Sequence, residues 1–256
     1  MSVKTNYHLG RGALRVADRD ASGNPGALED VGEVMISVEI SKDYKSNKST
    51  RNAVSETDAH VPTDQEVKGT ITLKETTAKN LERILHGTKT DYAGSSVVGA
   101  AFPSGVQAGE TYELPGFTGI ASALTIKDSA GGGGATVDPA KYSVDLNYGT
   151  VTFLDVTGFT QPFKASFTNA ASTRSSILTR RVINKYLRFE GLNIGNNDGP
   201  RRFLDVLYNC TLLPAKKFDP KGDDYASYEL DFVALADPNK SEDAELGRYG
   251  FHLALE

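Results

Sequence analysis

The feature that most limits what this chain can fold into is a two-residue alternation of apolar and polar side chains near its C-terminal end. Three segments between residues 182 and 238 show it, at 187–189, 204–212 and 228–234, with Gly-, Pro- and Asp-containing runs between them. A period of two with one apolar face is typical of half-buried strands in an antiparallel sheet. The sequence therefore predicts a three-stranded meander in this region.

The same alternation recurs upstream, at residues 13–17, 33–42 and 67–74. Only residues 77–86 have helical periodicity, with Thr76 or Thr77 as the N-cap and Gly87 as a left-handed C-terminal cap. We therefore predict an all-β protein, mainly an antiparallel β-sandwich or half-barrel, with one short flanking α-helix. Gly, Ser, Ala and Pro become frequent between residues 92 and 176. That stretch is interpreted as an additional β-rich inserted lobe, which leaves 1–91 plus 177–256 as the sandwich core.

Composition limits the functions that this chain can have. The 33 acidic residues outnumber the 28 Lys and Arg, which disfavours a protein that grips duplex DNA through its phosphates. The single cysteine, Cys210, excludes an intramolecular disulfide and falls on the apolar face of its segment. Residues 1–10 lack the apolar core of a signal peptide, and no run approaches the ~20 apolar residues of a membrane helix. The sequence thus predicts a protein made in a cytoplasm, without membrane insertion of its own.

A search of the sequence for reactive constellations finds none. The four histidines are dispersed, and the chain has no Cys-x-x-Cys, His-Glu-x-x-His, phosphate-binding loop or Gly-x-Ser-x-Gly elbow. The acidic pairs Asp223-Asp224 and Glu242-Asp243 fall in polar loops with no apolar setting that would raise a carboxyl pKa. We therefore expect no catalytic, cofactor or metal site, and no enzyme activity.

Residues 44–66 form a polar stretch that we interpret as a loop of some twenty residues. Loops of that length inside a compact domain are uncommon and are often functional. Two interpretations remain open at this point, a surface excursion or an arm that reaches a neighbouring subunit. The candidate contact residues of such an arm are Lys45, Asn47, Arg51, Asn52, Glu56, Asp58, His60 and Asp64.

Several segments resemble the major tail tube proteins of tailed bacteriophages. They are GRGALRV at 10–16, DVG at 30–32 running into the strand at 34–40, GTITL at 69–73 followed by the helix to Gly87, FEGLN at 189–193, LPAK at 213–216 and GDDYASYEL at 222–230. The resemblance covers most of residues 10–90 and 180–238 and carries no catalytic signature. Residues 92–176 exceed the minimal core of that family.

The resemblance implies a structural virion protein. Members of that family fold as a β-sandwich or half-barrel with one flanking helix, and six copies join their sheets edge to edge into a ring. The rings stack into a tail tube that conducts genomic DNA into the host, and the polar stretch at residues 44–66 becomes the implied ring-to-ring contact. The implied partners are further copies of the chain, tape-measure, tail terminator and baseplate or tip proteins, and double-stranded DNA that passes without sequence-specific binding. The implied location is the virion tail, assembled in the host bacterial cytoplasm. The resemblance does not distinguish a contractile from a non-contractile tail, or a phage from a tailocin or gene-transfer particle.

A channel for DNA should be neutral to acidic, because each bound phosphate would slow transit. Lys68, Lys74 and Arg188 share the polar strand faces and count against a uniformly acidic wall. The candidate lumen-facing residues are Ser37, Glu39, Thr70, Thr72, Glu190, Glu229 and Asp231.

The main alternative function is a carbohydrate- or receptor-binding β-sandwich adhesion module. The absence of Trp and the position of most Tyr and Phe on strand faces disfavour it.

Overall fold

The computed structural model describes residues 7–50, 56–131, 133–195, 199–240 and 247–255. The described sheets are mostly antiparallel, and one short α-helix accompanies them. The predicted all-β class with a single short helix is therefore confirmed. The chain divides into two compact units, residues 1–88 with 175–256 and Lys89–Arg174. These borders lie within three residues of the ones expected from the change in composition.

The elements of the described chain follow in order. They are β1 (Gly10–Ala17), β2 (Glu29–Asp30), β3 (Val34–Ser49), β4 (Glu56–Leu73), α1 (Ala78–Leu85), β5 (Lys89–Tyr92), β6 (Ser95–Ala101), β7 (Thr111–Glu113), β8 (Ala121–Lys127), a 3-10 turn (Pro139–Lys141), β9 (Tyr142–Asp145), β10 (Thr150–Phe153), β11 (Lys164–Asn169), β12 (Ser172–Ser175), β13 (Ile183–Asn193), β14 (Arg201–Leu212), β15 (Tyr228–Ala234) and β16 (Gly250–Leu255).

The first unit is built on one sheet with the strand order β2-β1-β13-β14-β15-β4-β3, and β16 pairs with β14. The meander expected between residues 182 and 238 forms its middle, as β13, β14 and β15. Its register places Leu187 opposite Leu207 and Leu212 opposite Phe232. Since directly opposed residues point to the same face, these pairs stack the apolar side chains of all three strands on one side.

The core of this unit draws side chains from both ends of the sheet. Leu14 of β1 and Ile71 of β4 belong to the same buried cluster as Leu187, Leu230 and Phe232 of the middle strands. β1 and β3 are five positions apart in the sheet order, yet Leu14 and Ile36 line one groove, so the sheet curls around its core. The curled sheet corresponds to the half-barrel form of the predicted fold.

The helix begins as predicted and ends differently. Thr77 is the N-cap, and its side chain accepts a hydrogen bond from the Asn80 amide at 3.2 Å. The expected left-handed cap at Gly87 is wrong, because His86 itself takes that conformation, with φ 47° and ψ 40°. A glycine is required at position 87 for a different reason, since no side chain fits there. A Cβ atom there would lie 1.9 Å from the carbonyl oxygen of Ser176.

Acid is expected to destabilise the chain through His86, whose side chain is buried. Burial lowers the pKa of His86 below its ordinary value of 6.5. The unfolded chain therefore binds a proton more readily than the folded one, so the stabilisation is complete above pH 6.5 and declines as the pH falls below that value. Urea unfolding at about pH 7.5 and about pH 5.5 measures the loss.

The matched variant for this measurement is His86→Asn. Asparagine tolerates the left-handed conformation and does not titrate, so the variant should lose less stability between the two pH values than the unaltered chain. An equal loss in both proteins would show that other groups cause the pH dependence.

The long loop expected at residues 44–66 is wrong. β3 and β4 stay paired from Val34 opposite Leu73 as far as Ser49 opposite Glu56, with two bulges. β15 covers β4 only over residues 67–73, so 41–49 and 56–66 pair with each other alone. We call this two-stranded extension the hairpin ribbon. Apart from Tyr44, Ala59, Val61 and Pro62, its side chains are polar, so it lacks the regular apolar alternation by which a strand is predicted.

The second unit contains two three-stranded sheets, β6-β11-β8 and β7-β10-β9, and the short pair β5-β12. A buried cluster rich in phenylalanine joins elements of both three-stranded sheets, with Phe153 stacked on Phe163 at 4.7 Å between ring centroids. A turn at residues 146–149 joins β9 and β10 into a hairpin. The inserted segment therefore has a hydrophobic core of its own.

Candidate assembly surface

β3 forms a free edge of the sheet in the first unit. β3 is the last strand in the sheet order, and its 16 residues pair with β4 alone in the described part of the chain. A free edge presents a row of unpaired N–H and C=O groups to any other strand. It is thus a ready site for strand addition by another chain.

Apolar side chains stand exposed along this edge. Ile40 is 81% exposed and Val38 is 46% exposed, although both lie on the face of β3 that contains the partly buried Val34 and Ile36. The sequence interpretation placed all four on one apolar face, and the alternation is correct. The core covers this face only as far as Ile36, and the strand then continues beyond it.

An apolar groove of about 510 Å³ lies between the exposed part of β3 and the opposite wall of the curled sheet. Val38 and Ile40 line one side, and Phe189, Phe203 and Phe251 are among the residues lining the remainder. Polar groups occur at its rim. His252 Nδ1 lies 2.5 Å from Asp205 Oδ1, and the His252 ring is 5.7 Å from that of Phe203.

A second unpaired edge belongs to β16. This strand pairs with β14 from Leu207 opposite Gly250 to Arg202 opposite Leu255, and with no other described strand. Leu253 and Leu255 alternate along it and are each 43% exposed. The sheet therefore presents two different edges with exposed aliphatic side chains.

The structure brings six of the seven lumen candidates together. Ser37, Thr70 and Asp231 are directly opposed across β3, β4 and β15, and Thr72 is opposite Glu229 in the same way. Glu39 follows two residues after Ser37 and is opposite Lys68. These six side chains share the sheet face away from the core, which we call the wall face. Glu190 lies apart from them on β13, with β14 between β13 and β15.

Basic partners neutralise two of the four carboxylates among these candidates, Asp231 and Glu190. Lys216 Nζ lies 2.5 Å from Asp231 Oδ2, and this contact holds the pKa of Asp231 below its usual value. Arg15 Nε and Arg188 Nε lie 3.0 and 2.9 Å from the carboxylate of Glu190, whose pKa is lowered chiefly by the hydrogen bond from Arg15. The wall face is therefore mixed in charge, and it is not an acidic surface.

The hairpin ribbon carries most of the candidate contact residues. The rings of Tyr44 and His60 stack at 4.4 Å across its two strands, and Ser46 Oγ lies 2.7 Å from His60 Nδ1. Asn47 donates a hydrogen bond to Asp58 at 2.9 Å. Arg51, Asn52 and the side chain of Glu56 lie outside the described residues. The exposed candidates on the ribbon are Lys45, Asn47, Asp58, His60 and Asp64.

Reactive groups are few in the part of the chain that the structure describes. No group of three or more His, Cys, Asp or Glu side chains there could hold a metal ion. Cys210 is buried, and desolvation raises the pKa of its thiol to about 12, so it stays protonated. None of the described helical residues forms a helix long and apolar enough to cross a membrane.

Sequence reasoning missed the exposed part of β3 and the apolar groove. Alternation identified Val38 and Ile40 as apolar positions, but it contains no information on what covers them. Phe251 and His252 lie in the short last strand β16, and no motif in the sequence marks them. Both walls of the groove come from segments that are far apart in the chain.

Comparison with known proteins assigns a family but no activity. A family model described as "Protein of unknown function UCP028589" matches residues 7–252, which is nearly the whole chain. No curated protein matches the sequence.

Proposed function

The chain belongs to this family of unknown function, and we propose that it is a structural virion protein that forms the tail tube of a tailed bacteriophage. In this proposal, copies of the chain join into rings, which are hexameric by resemblance to the tail tube family. The rings stack into a tube through which genomic DNA passes into the host. The protein has no catalytic role in this proposal. Its partners are other copies, the tape-measure, tail terminator and baseplate or tip proteins.

The main support for the proposal is the free edge of β3, where Ile40 is 81% exposed to solvent. Long, unprotected edges with apolar side chains are sites of aggregation, and monomeric proteins normally cover or charge them. β3 extends this edge into the hairpin ribbon, and an isolated two-stranded ribbon is marginally stable in water. Pairing with a neighbouring copy would give hydrogen-bond partners to the unpaired N–H and C=O groups of β3, and it would also stabilise the ribbon.

The unlike free edges of β3 and β16 favour a ring over a symmetric dimer. β3 has 16 residues and β16 has six, and their exposed side chains differ. A contact between two unlike surfaces is heterologous, and it repeats until a ring closes or a filament forms. Continuous sheets in such a ring would leave no exposed edge within it.

The charge of the wall face is compatible with DNA passage. Lys216 neutralises Asp231, and Lys68 lies 3.1 Å from Glu66. Paired charges leave few free cations to bind phosphates, and each such contact would retard a moving duplex. This face is our candidate for the lumen, and Glu190, which lies apart on β13, is not needed for it.

Electron microscopy and light scattering of the purified chain test the proposal. We expect rings or tubes about 80–100 Å across, the size obtained by closing several sheets at ordinary strand spacing. A species that stays strictly monomeric at high concentration after long incubation would contradict the proposal.

One observation supports the alternative adhesion function. Tyr148 on the β9–β10 turn is 78% exposed, and Tyr225 in the loop before β15 is fully exposed. Exposed aromatic rings on loops are common in glycan sites, and these two lie in different compact units. Binding of the purified protein to a glycan array, together with failure to form rings, would favour adhesion.

A further inference from the structure

The second unit has two outer sheet faces to which the proposed function gives no role. On the sheet β6-β11-β8, Lys164 is directly opposite Lys127 on one side and Ala101 on the other. Ser166 lies opposite Thr125 on the same face, and Thr168 opposite Ser96 and Ser122. We call this surface the basic face.

The two lysines of the basic face lack an internal counterion. Both are exposed, and neither forms an ion pair with any residue that the structure describes. Like charges directly opposite each other on a sheet are destabilising. The neighbours on this face are alanine and hydroxyl residues, which do not compensate the charge. An acidic partner from outside would remove this repulsion.

Among the described residues, the outer face of the sheet β7-β10-β9 carries unpaired acidic side chains in place of unpaired lysines. Thr150 is flanked by Glu113 on one side and Asp145 on the other, and Thr152 by Thr111 and Ser143. This surface is the acidic face. Asp145 accepts hydrogen bonds from the amides of Asn147 and Tyr148, at 2.9 and 3.2 Å. Neither carboxylate has a cationic partner among the described residues, and both are exposed.

We propose that the second units of neighbouring copies contact each other, with the basic face of one against the acidic face of the next. Each face carries two uncompensated charges beside short hydroxyl side chains, so the two faces can approach closely and are complementary in charge. An anionic polymer on the basic face would leave Glu113 and Asp145 unexplained, whereas a second copy explains both faces. The proposal rests on the proposed function, which supplies the repeating arrangement of copies.

The contact is weak by itself and depends on assembly. Exposed ion pairs contribute little and are screened by salt, since the Debye length is about 8 Å at physiological ionic strength. Copies held in a ring or tube, however, meet at a high effective concentration, and this makes a weak contact observable. The contact would therefore strengthen an assembly that the first unit forms, and it would be sensitive to salt.

Disulfide trapping in the full-length chain tests the contact. Ser166→Cys places a thiol on the basic face and Thr152→Cys places one on the acidic face, while the native Cys210 stays buried. Oxidation of the double variant at low salt should give a ladder of crosslinked copies. Adding Lys127→Glu and Lys164→Glu should lower the crosslinked fraction about tenfold, because attraction becomes repulsion. Adding Glu113→Lys and Asp145→Lys as well should restore it, and Lys221→Glu is the control outside both faces.

The outcomes separate this inference from the proposed function. Tubes without the ladder, or a ladder that survives the lysine reversal, would overturn the face-to-face contact and leave the tail tube proposal standing. A ladder without rings or tubes would support the contact and count against the tail tube. Absence of both assembly and crosslinks at high concentration would overturn both proposals.

Discussion

Replacing Ile40 with lysine is expected to abolish ring and tube formation while leaving the folded monomer almost unchanged. The side chain is 81% exposed, so the substitution removes little buried apolar area. Surface changes of this kind usually alter the free energy of unfolding by less than about 0.5 kcal/mol. A lysine on an edge strand, in contrast, strongly opposes pairing with another strand. Thermal unfolding followed by circular dichroism measures the first effect, and light scattering with electron microscopy measures the second.

The matched control is Met35→Lys. Met35 lies on the same strand, is 64% exposed and points to the opposite face. Its replacement by lysine therefore introduces the same charge with a similarly small loss of buried area. We expect this variant to assemble. Tubes formed by Ile40→Lys, or assembly lost equally in both variants, would show that the apolar side of the β3 edge is not the contact.

Removing the hairpin ribbon is expected to stop polymerisation without unfolding the chain. Tyr44 is directly opposite Pro62, so residues 45–61 can be replaced by Asn-Gly, which favours a tight hairpin turn. The deleted side chains that the structure describes are almost all exposed, so the free energy of unfolding should fall by no more than about 1 kcal/mol. The expected product is a soluble, folded species that forms no tubes, as measured by urea unfolding and electron microscopy.

His60→Ala is the control for the ribbon. It removes the stacking on Tyr44 and the contact with Ser46 but keeps the backbone of both strands. We expect it to polymerise. If the shortened chain forms normal tubes, the ribbon is not an inter-ring contact, and if it unfolds, the ribbon is part of the core. A one-sided deletion of residues 52–63 is less informative, because it would leave residues 44–49 of β3 without their partner strand.

Strong, regular patterns in the sequence were sufficient to predict part of the fold. Alternation in the meander identified β13, β14 and β15, since Leu187, Leu212 and Phe232 each face a single continuous core. The helix was predictable because Thr77 caps an amphipathic run. The exact C-terminal cap was not predictable. His86 takes the left-handed conformation, and Gly87 is required because its α-carbon lies against Ser176, a residue distant in sequence.

Other features were decided by tertiary structure alone. The polar stretch after Lys42 pairs as a ribbon because β3 and β4 leave the sheet together, and backbone pairing needs no apolar face. The sequence determined that Val38 and Ile40 share a face with Val34 and Ile36. Only the curvature of the sheet decided that the core ends at Ile36 and leaves Ile40 exposed, because coverage depends on strands more than a hundred residues away in the chain.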